Sequence, residues 1–364
     1  MTARTTPTLK KLVGLAQGVV QEVGRKKNPA LQIPLRTLAN VTFNEKKSII
    51  ELGRGTQSRQ FFNVSMAKRF MQTFLVANAC KELIRQGKTT SIRDLYYMTK
   101  HTIGDSTENT FDEQEESDPI IEDLEVTINA LREELNLFAS SKGGLVGEIT
   151  LLDGGDTIDC RRLGTGGWQI PSITEPEVIQ FKKCTAKFVL LVEKDAVWRR
   201  LNEDKFWRDH KCILAHGQGM APRGVRRLVY RLNAELGLPV YVLVDNDPWG
   251  FYIYSVLKQG SINLAYESIR MAIPAARFIG LSSFDAVKFK LDKVHLIKLA
   301  QEDISRAKQI LEYPWFQKKP WQEEIKQMLA TGVKYELEAF SSKGISFITQ
   351  TYLPRKLKEK DWLD

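Results

Sequence analysis

Residues 241–250 read Tyr241-Val242-Leu243-Val244-Asp245-Asn246-Asp247-Pro248-Trp249-Gly250, an apolar run that ends in two carboxylates where the chain must turn. In an α/β sheet, the carboxyl ends of parallel strands are where ligands bind. A second apolar run, Phe188-Val189-Leu190-Leu191-Val192, ends the same way in Glu193. Outward from these two runs the pattern alternates: strand 187–192, helix about 195–204, strand 211–216, helix about 222–236, strand 239–244, helix about 249–258. That alternation predicts a doubly wound parallel sheet, with Glu193, Asp245 and Asp247 converging at one crevice. Two carboxylates about 4 Å apart repel by roughly 4 kcal/mol at an effective dielectric near 20, so such a cluster calls for a cation. Oxygen-only ligands favour Mg²⁺ or Mn²⁺ over zinc.

The loop after the second strand, His216-Gly217-Gln218-Gly219-Met220-Ala221-Pro222-Arg223-Gly224, carries small residues where backbone can approach a ligand. Arg223, Arg226 and Arg227 then open a helix. Cations at a helix N-terminus oppose its dipole, which suggests either an anionic partner or a solvated basic face.

Upstream, Leu9, Leu12, Val13, Ala16, Val19, Val20 and Val23 mark a short amphipathic helix, read either as packing on its own core or as a docking helix for another chain. Residues 66–87 form a long helical pattern closed by Gly87. Ser91-Ile92-Arg93-Asp94 then has the shape of an N-cap with an acid three residues on, and starts a shorter helix through Leu95-Tyr96-Tyr97-Met98-Thr99-Lys100. Asp118-Pro119 opens a third, through Ile121, Leu124, Ile128, Leu131 and Leu135. With Phe138 to Arg162 as short strands around glycine turns at Gly143-Gly144 and Gly154-Gly155, the order is that of a winged helix-turn-helix module. Gly87-Lys88-Thr89 lacks the first glycine of a phosphate loop, Glu82 standing in its place, and Gly53-Arg54-Gly55 lacks the third glycine of a dinucleotide fingerprint. No ATP-binding loop is expected in this chain.

The 364 residues are 43% apolar and carry a formal charge of +9, which favours a polyanionic partner. Residues 105–125 run against that balance, with ten acids and no Lys or Arg. Cys80, Cys160, Cys184 and Cys212 show no C-x-x-C pairing, so neither a zinc ribbon nor a disulfide framework is expected. No run approaches the roughly 20 apolar residues that span a bilayer, and the first residues lack a signal-peptide core. The expected location is intracellular, cytoplasmic and nucleoid-associated, or nuclear in a eukaryote.

Taken in order, Ile92-Arg93-Asp94-Leu95-Tyr96-Tyr97, Val192-Glu193-Lys194-Asp195, Val244-Asp245-Asn246-Asp247-Pro248-Trp249-Gly250, Trp321-Gln322-Glu323-Glu324-Ile325-Lys326 and Thr351-Tyr352-Leu353-Pro354 resemble the A subunit of type IIB DNA topoisomerase VI and its relatives, the meiotic double-strand-break transesterases. The resemblance implies an N-terminal arm (1–65) that docks the B-subunit ATPase, a winged-helix domain (66–160) bearing the nucleophilic tyrosine, a connector (161–185) and a Toprim domain (186–364) with C-terminal helical elements. It implies Tyr97 as nucleophile, Arg93 one turn before it as the basic helper, and Glu193, Asp245 and Asp247 as magnesium ligands, with Glu193 alternatively a general acid or base. Residues 93 and 97 share a helix face while 96 points about 100° away, which agrees with Tyr96 as structural. Lys100, His101, Gly217, Gln218, Gly219, Arg223, Arg226 and Arg227 are the expected DNA contacts. The Gly217-Gln218-Gly219 loop departs from the lysine-containing version of the family.

A tyrosine phenol ionises near pH 10, so activation at neutral pH must supply on the order of 4 kcal/mol. The expected activity is double-strand cleavage through 5′-phosphotyrosyl links, strand passage and religation. The resemblance also implies a homodimer acting on duplex DNA, with ATP bound by the partner chain in an A2B2 heterotetramer. The alternatives are a meiotic-type transesterase, a Toprim nuclease or primase-like enzyme that uses the same acids, and a non-catalytic winged-helix DNA binder.

Overall fold

Apolar residues at helical spacing build α1 (Pro7–Gly24), which buries Leu9 and Leu12 and leaves Val13, Val20 and Val23 exposed. The computed structural model describes residues 7–364. It divides into two units, one made of the chain up to Asn40 together with Leu52–Ser140, the other of Val41–Glu51 and Ser141–Asp364.

In chain order, β1 (Ala30–Pro34) is followed by a pair, β2 (Val41–Asn44) and β3 (Ile49–Leu52), and then by β4 (Thr56–Gln60), which pairs antiparallel with β1. Asn40 clamps this ladder. Its Nδ2 donates to the carbonyls of Leu35 (2.8 Å) and Gly55 (3.0 Å), and its Oδ1 accepts from the Gly55 amide at 2.8 Å. A Cβ on Gly53 or Gly55 would lie 2.6 Å from that oxygen, so both glycines serve a close backbone approach.

The helix α2 (Val64–Gln86) starts where the Asn63 side chain accepts the Ser65 amide and stops at Gly87, left-handed at φ 62°. Gly87-Lys88-Thr89 is thus a helix cap and turn. After β5 (Thr90–Ser91), α3 (Ile92–Thr99) is capped by Ser91, whose Oγ accepts the Asp94 amide at 3.0 Å. The third helix, α4 (Ser117–Ile128), is shorter than its apolar pattern predicts. Asn129 takes the left-handed conformation at φ 46° and ends it, and Leu135 reaches the core from a separate 3-10 turn. Part of the acidic stretch is paired within this unit. Arg36 meets Glu122 and Asp123, Arg59 meets Asp123 at 2.6 Å, Lys68 meets Asp112 at 2.5 Å and Arg132 meets Glu125 at 2.7 Å.

The strands expected to follow these helices as a wing are distributed differently. Only β6 (Leu137–Phe138) stays with the helical unit, parallel to β5. The next strand, β7 (Gly144–Gly147), belongs to the large sheet of the second unit, while β8 (Ile149–Asp153) and β9 (Asp156–Asp159) form a three-stranded antiparallel sheet with a later strand. The misleading signal was Gly143-Gly144, expected as a turn. A Cβ on Gly143 would lie 2.3 Å from the His216 carbonyl, so this glycine marks close strand contact. Gly154-Gly155, by contrast, is a true turn, at φ 58° and 104°.

The second unit continues with β10 (Trp168–Gln169), β11 (Ile179–Cys184), β12 (Val189–Val192), α5 (Asp195–Glu203), α6 (Phe206–Asp209), β13 (Ile213–His216), α7 (Arg223–Leu236), β14 (Val240–Leu243) and α8 (Pro248–Gln259). Beyond it come α9 (Ser268–Met271), β15 (Arg277–Gly280), α10 (Ser283–Lys288), β16 (Ile297–Lys298), α11 (Gln301–Glu312), α12 (Lys319–Thr331), β17 (Val333–Lys334) and α13 (Leu353–Glu359). The large sheet has the order β10-β7-β13-β12-β14-β15, parallel across β13-β12-β14-β15 and antiparallel at β7 and β10. Every residue of β12, β13 and β14 is buried, which explains their unbroken apolar runs. Because β12 lies between β13 and β14, with Val192 opposite Leu243, Glu193 and Asp245 leave the sheet from neighbouring strands. No described helix is long and apolar enough to cross a membrane.

Candidate active site

Glu193 and Asp245 meet through the backbone as well as through their charges. The Glu193 amide donates to the Leu243 carbonyl at 2.9 Å, and the Asp245 amide approaches Glu193 Oε2 at 3.3 Å. Asp245 Oδ1 accepts the Leu337 amide at 2.8 Å, and its Oδ2 takes the Lys194 ammonium at 2.9 Å. Asp247 turns to cap α8, its Oδ1 accepting the Gly250 amide at 2.6 Å. A Cβ on Gly250 would lie 2.5 Å from the Asp245 carbonyl, so the turn after the paired acids needs glycine.

Burial of these acids sets the direction of their titration. Burial, reinforced by the negative charges of Asp245 and Asp247, pushes Glu193 up to about 7. Burial also pushes Asp245 up to about 6, against the pull of the Leu337 amide and Lys194, and it raises Asp247. Lys194 is drawn down by burial but held above its ordinary value by Glu338 and Asp245. Among the described residues, no three His, Cys, Asp or Glu side chains are gathered closely enough to enclose a metal ion. The donors present are nonetheless all oxygen, and the Lys194 ammonium is a stand-in cation on Asp245. Glu193 and Asp245 therefore suit a hard divalent ion that keeps several of its waters.

In the helical unit, Tyr97 is 60% exposed on α3, whereas Tyr96 is only 6% exposed. The Tyr96 hydroxyl donates to the Asp112 carbonyl at 3.0 Å and accepts from Lys100 at 2.7 Å. Arg93 is exposed one turn before Tyr97. Lys100 also donates to the Asp112 carbonyl, at 2.8 Å, so its charge is tied to the Tyr96 anchor. His101 is exposed, its amide bonded to Thr110 Oγ1 at 3.0 Å.

The glycine loop packs against the acids. The Gly219 amide donates to the Glu193 carbonyl at 3.0 Å, and a Cβ on Gly217 would lie 2.6 Å from the Ala221 Cα. Gln218 takes the left-handed conformation at φ 55°. The arginines expected beyond it as an anion-facing group are held internally. Arg223 pairs with Glu267, buried Arg226 donates to the Ala221 carbonyl at 3.1 Å, and Arg227 forks onto Glu175 at 2.9 and 2.8 Å. Counting charge at the start of a helix does not reveal such partners, because Glu175 and Glu267 lie far away in sequence.

Residues that sequence reasoning left without a role complete the site. Lys194 was visible only as part of a motif, and Glu336 and Glu338, 3.3 and 2.8 Å from its ammonium, carry no local signal. Asn246, fully buried between the two aspartates, donates to Glu324 Oε1 at 3.0 Å. The same oxygen accepts the Ser283 amide at 2.7 Å, so Glu324 fixes the loop that carries Asp245 and Asp247.

Three families of known proteins match along the chain. Residues 188–357 match the Toprim domain shared by Spo11 and the topoisomerase 6 A subunit, residues 68–137 match "Type IIB DNA topoisomerase", and residues 142–185 match "All-beta domain in DNA topoisomerase VI alpha subunit". The chain is also similar to curated proteins, each named as the A subunit of type 2 DNA topoisomerase 6. It is 43% identical to that of Pyrococcus abyssi, over 96% of this chain and 94% of the relative. The figures for Hyperthermus butylicus are 43%, 95% and 93%, and for Methanocaldococcus jannaschii 34%, 97% and 95%.

Proposed function

We propose a function from the premise that this chain belongs to the family of Spo11 and the topoisomerase 6 A subunit, as its likeness to relatives along nearly its whole length establishes. It is the DNA-cleaving subunit of a type IIB DNA topoisomerase, and double-stranded DNA is its substrate. The observation that carries the chemistry is the contrast on α3, where Tyr96 is anchored and buried while Tyr97 stands exposed beside Arg93.

Tyr97 Oη attacks a backbone phosphorus in line. The phenol gives up its proton, the bond from phosphorus to the 3′-oxygen breaks, and that oxygen takes a proton as a 3′-hydroxyl, leaving a 5′-phosphotyrosyl link. Arg93 neutralises charge that grows on the non-bridging oxygens. The phosphodiester energy is kept in the link, so reversal of the step reseals the strand. Glu193 and Asp245, with Asp247 beside them at the start of α8, would hold Mg²⁺, and the ion would supply positive charge for the scissile phosphate and the leaving 3′-oxygen.

The helices α2, α3 and α4 act as the DNA-binding core of a winged-helix domain, and the second unit acts as the Toprim domain. Two copies are needed to cut both strands, and each copy's acids face the other's Tyr97. The exposed face of α1 docks the B-subunit ATPase, giving A2B2. DNA is contacted near Lys100, His101 and the Gly217-Gln218-Gly219 loop.

The deciding experiment traps covalent protein–DNA adducts by denaturing a cleavage reaction that contains Mg²⁺ and a family B subunit, then maps the modified residue. An adduct on Tyr97 that is lost in Tyr97→Phe is expected. An adduct that persists in that variant would overturn the assignment.

A further inference from the structure

The residue directly after Glu193 carries a feature the cleavage chemistry does not use. Lys194 occupies the extended N-cap position of α5, at φ −87° and ψ 128°, and its ammonium reaches three carboxylates. It stands 2.9 Å from Asp245 Oδ2, 2.8 Å from Glu338 Oε2 and 3.3 Å from Glu336 Oε2. An ammonium has three donors, so all three contacts can be made at once.

These partners differ in setting. The Asp245 side chain is 9% exposed, while those of Glu336 and Glu338 are 54% and 45% exposed. The two glutamates flank Leu337, which is fully buried and whose amide is the one bonded to Asp245. The same segment is pinned nearby, where Tyr335 and Asn246 exchange amide-to-carbonyl bonds at 2.9 and 3.1 Å. The glutamates are therefore held in place at the outer edge of the acids, and the lysine bridges from the inner carboxylate to the outer pair.

We propose that Lys194 is a tethered cation that competes with a divalent ion for Asp245, and that Glu336 and Glu338 are its resting place when the ion is bound. The inference rests on the reading of Glu193 and Asp245 as ligands of that ion. A single carboxylate cannot hold an ammonium and a dication on the same oxygen without strong repulsion between them. With its ammonium 2.9 Å from Oδ2, the lysine balances the charge of the buried Asp245 carboxylate. Entry of the ion moves the ammonium outward by a side-chain rotation, with no unpaired charge left behind.

The test is a Mn²⁺ titration of the full chain without DNA, followed by calorimetry and by the paramagnetic resonance of free Mn²⁺, with circular dichroism to confirm that each variant is folded. Lys194→Met should bind Mn²⁺ on the order of tenfold more tightly than wild type. The double variant Glu336→Gln/Glu338→Gln should bind it more weakly, because the lysine then has only Asp245. In the Lys194→Met background the same glutamine pair should change the affinity little, as a double-mutant cycle reads directly. If the pair weakens binding equally with and without the lysine, the glutamates act only as bulk charge and the resting place is overturned. If Lys194→Met binds no more tightly than wild type while Glu193→Gln abolishes binding, the competition is overturned and the metal reading stands. Absence of binding in wild type and Lys194→Met alike would overturn both.

Discussion

Tyr96 and Tyr97 are adjacent and chemically identical, yet burial separates their surroundings. The Tyr96 hydroxyl is spent on the Asp112 carbonyl, so Tyr96→Phe should cost about 1 kcal/mol of stability in denaturant unfolding and leave DNA cleavage in place. Tyr97→Phe should show the reverse, unchanged unfolding and no covalent adduct; cleavage by this variant would take the nucleophile's role from Tyr97. At the acids, Glu193 has an ordinary value of 4.5 and is raised to about 7 in the fold. Between those values the folded chain binds more protons than the unfolded one, so stability is highest at the acid end and falls as pH rises through about 7. In chelator, thermal unfolding of wild type should therefore weaken from pH 5 to pH 8. Glu193→Gln should flatten that slope and gain roughly 2 kcal/mol at pH 8. Identical slopes for the two proteins would show that burial of Glu193 carries no cost.

At the scale of elements, α3 depends on its cap. Ser91 accepts the Asp94 amide and donates its hydroxyl to Asp94 Oδ2 at 2.8 Å, so Ser91→Ala should cost about 1 kcal/mol and loosen the helix that presents Tyr97. Hydrogen exchange on α3 amides would read this as faster exchange there than on α2. The first helix has two faces in different surroundings. Leu9 and Leu12 are buried in the unit's core, whereas Val20 is 69% exposed. Removing the helix outright would therefore confuse folding with docking, and Val20→Asp separates them. Its melting temperature should match wild type while its affinity for a family B subunit falls. Unchanged affinity would assign α1 to core packing alone.

For the whole molecule, the charge of +9 stands although residues 105–125 hold ten acids, which Arg36, Arg59, Lys68 and Arg132 pair only in part. Binding of duplex DNA should accordingly weaken steeply with salt, as counterion release requires. Neither glycine motif that resembles a nucleotide-binding loop is one: Gly87 is a helix cap, and Gly53 and Gly55 are packed on Asn40. The isolated protein should show no ATPase and little relaxation of supercoiled DNA, and a family B subunit should restore ATP-dependent relaxation. ATP hydrolysis by the chain alone would undo this division of labour.

Some of this protein was legible in the residues because the deciding interactions are local. Buried parallel strands must be apolar throughout, so β12, β13 and β14 and the helices between them could be read within a few residues of their ends. The caps at Ser91 and Gly87 follow from backbone groups that must be satisfied nearby, and the phase of α3 puts Tyr96 and Tyr97 on different faces, while the packing decided which of the two is exposed. Other features needed contacts between residues distant in sequence. Gly143 reads as a turn until the chain around His216 presses against it, and Arg223, Arg226 and Arg227 read as an anion site until Glu267, the Ala221 carbonyl and Glu175 close on them. The pattern of α4 runs on past Asn129 because apolar spacing does not register a left-handed residue. Lys194 with Glu336 and Glu338, and Asn246 with Glu324, are pairings that only the folded chain creates. Their partners lie about 80 to 140 residues apart, where charge complementarity acts through space and leaves no trace in local sequence.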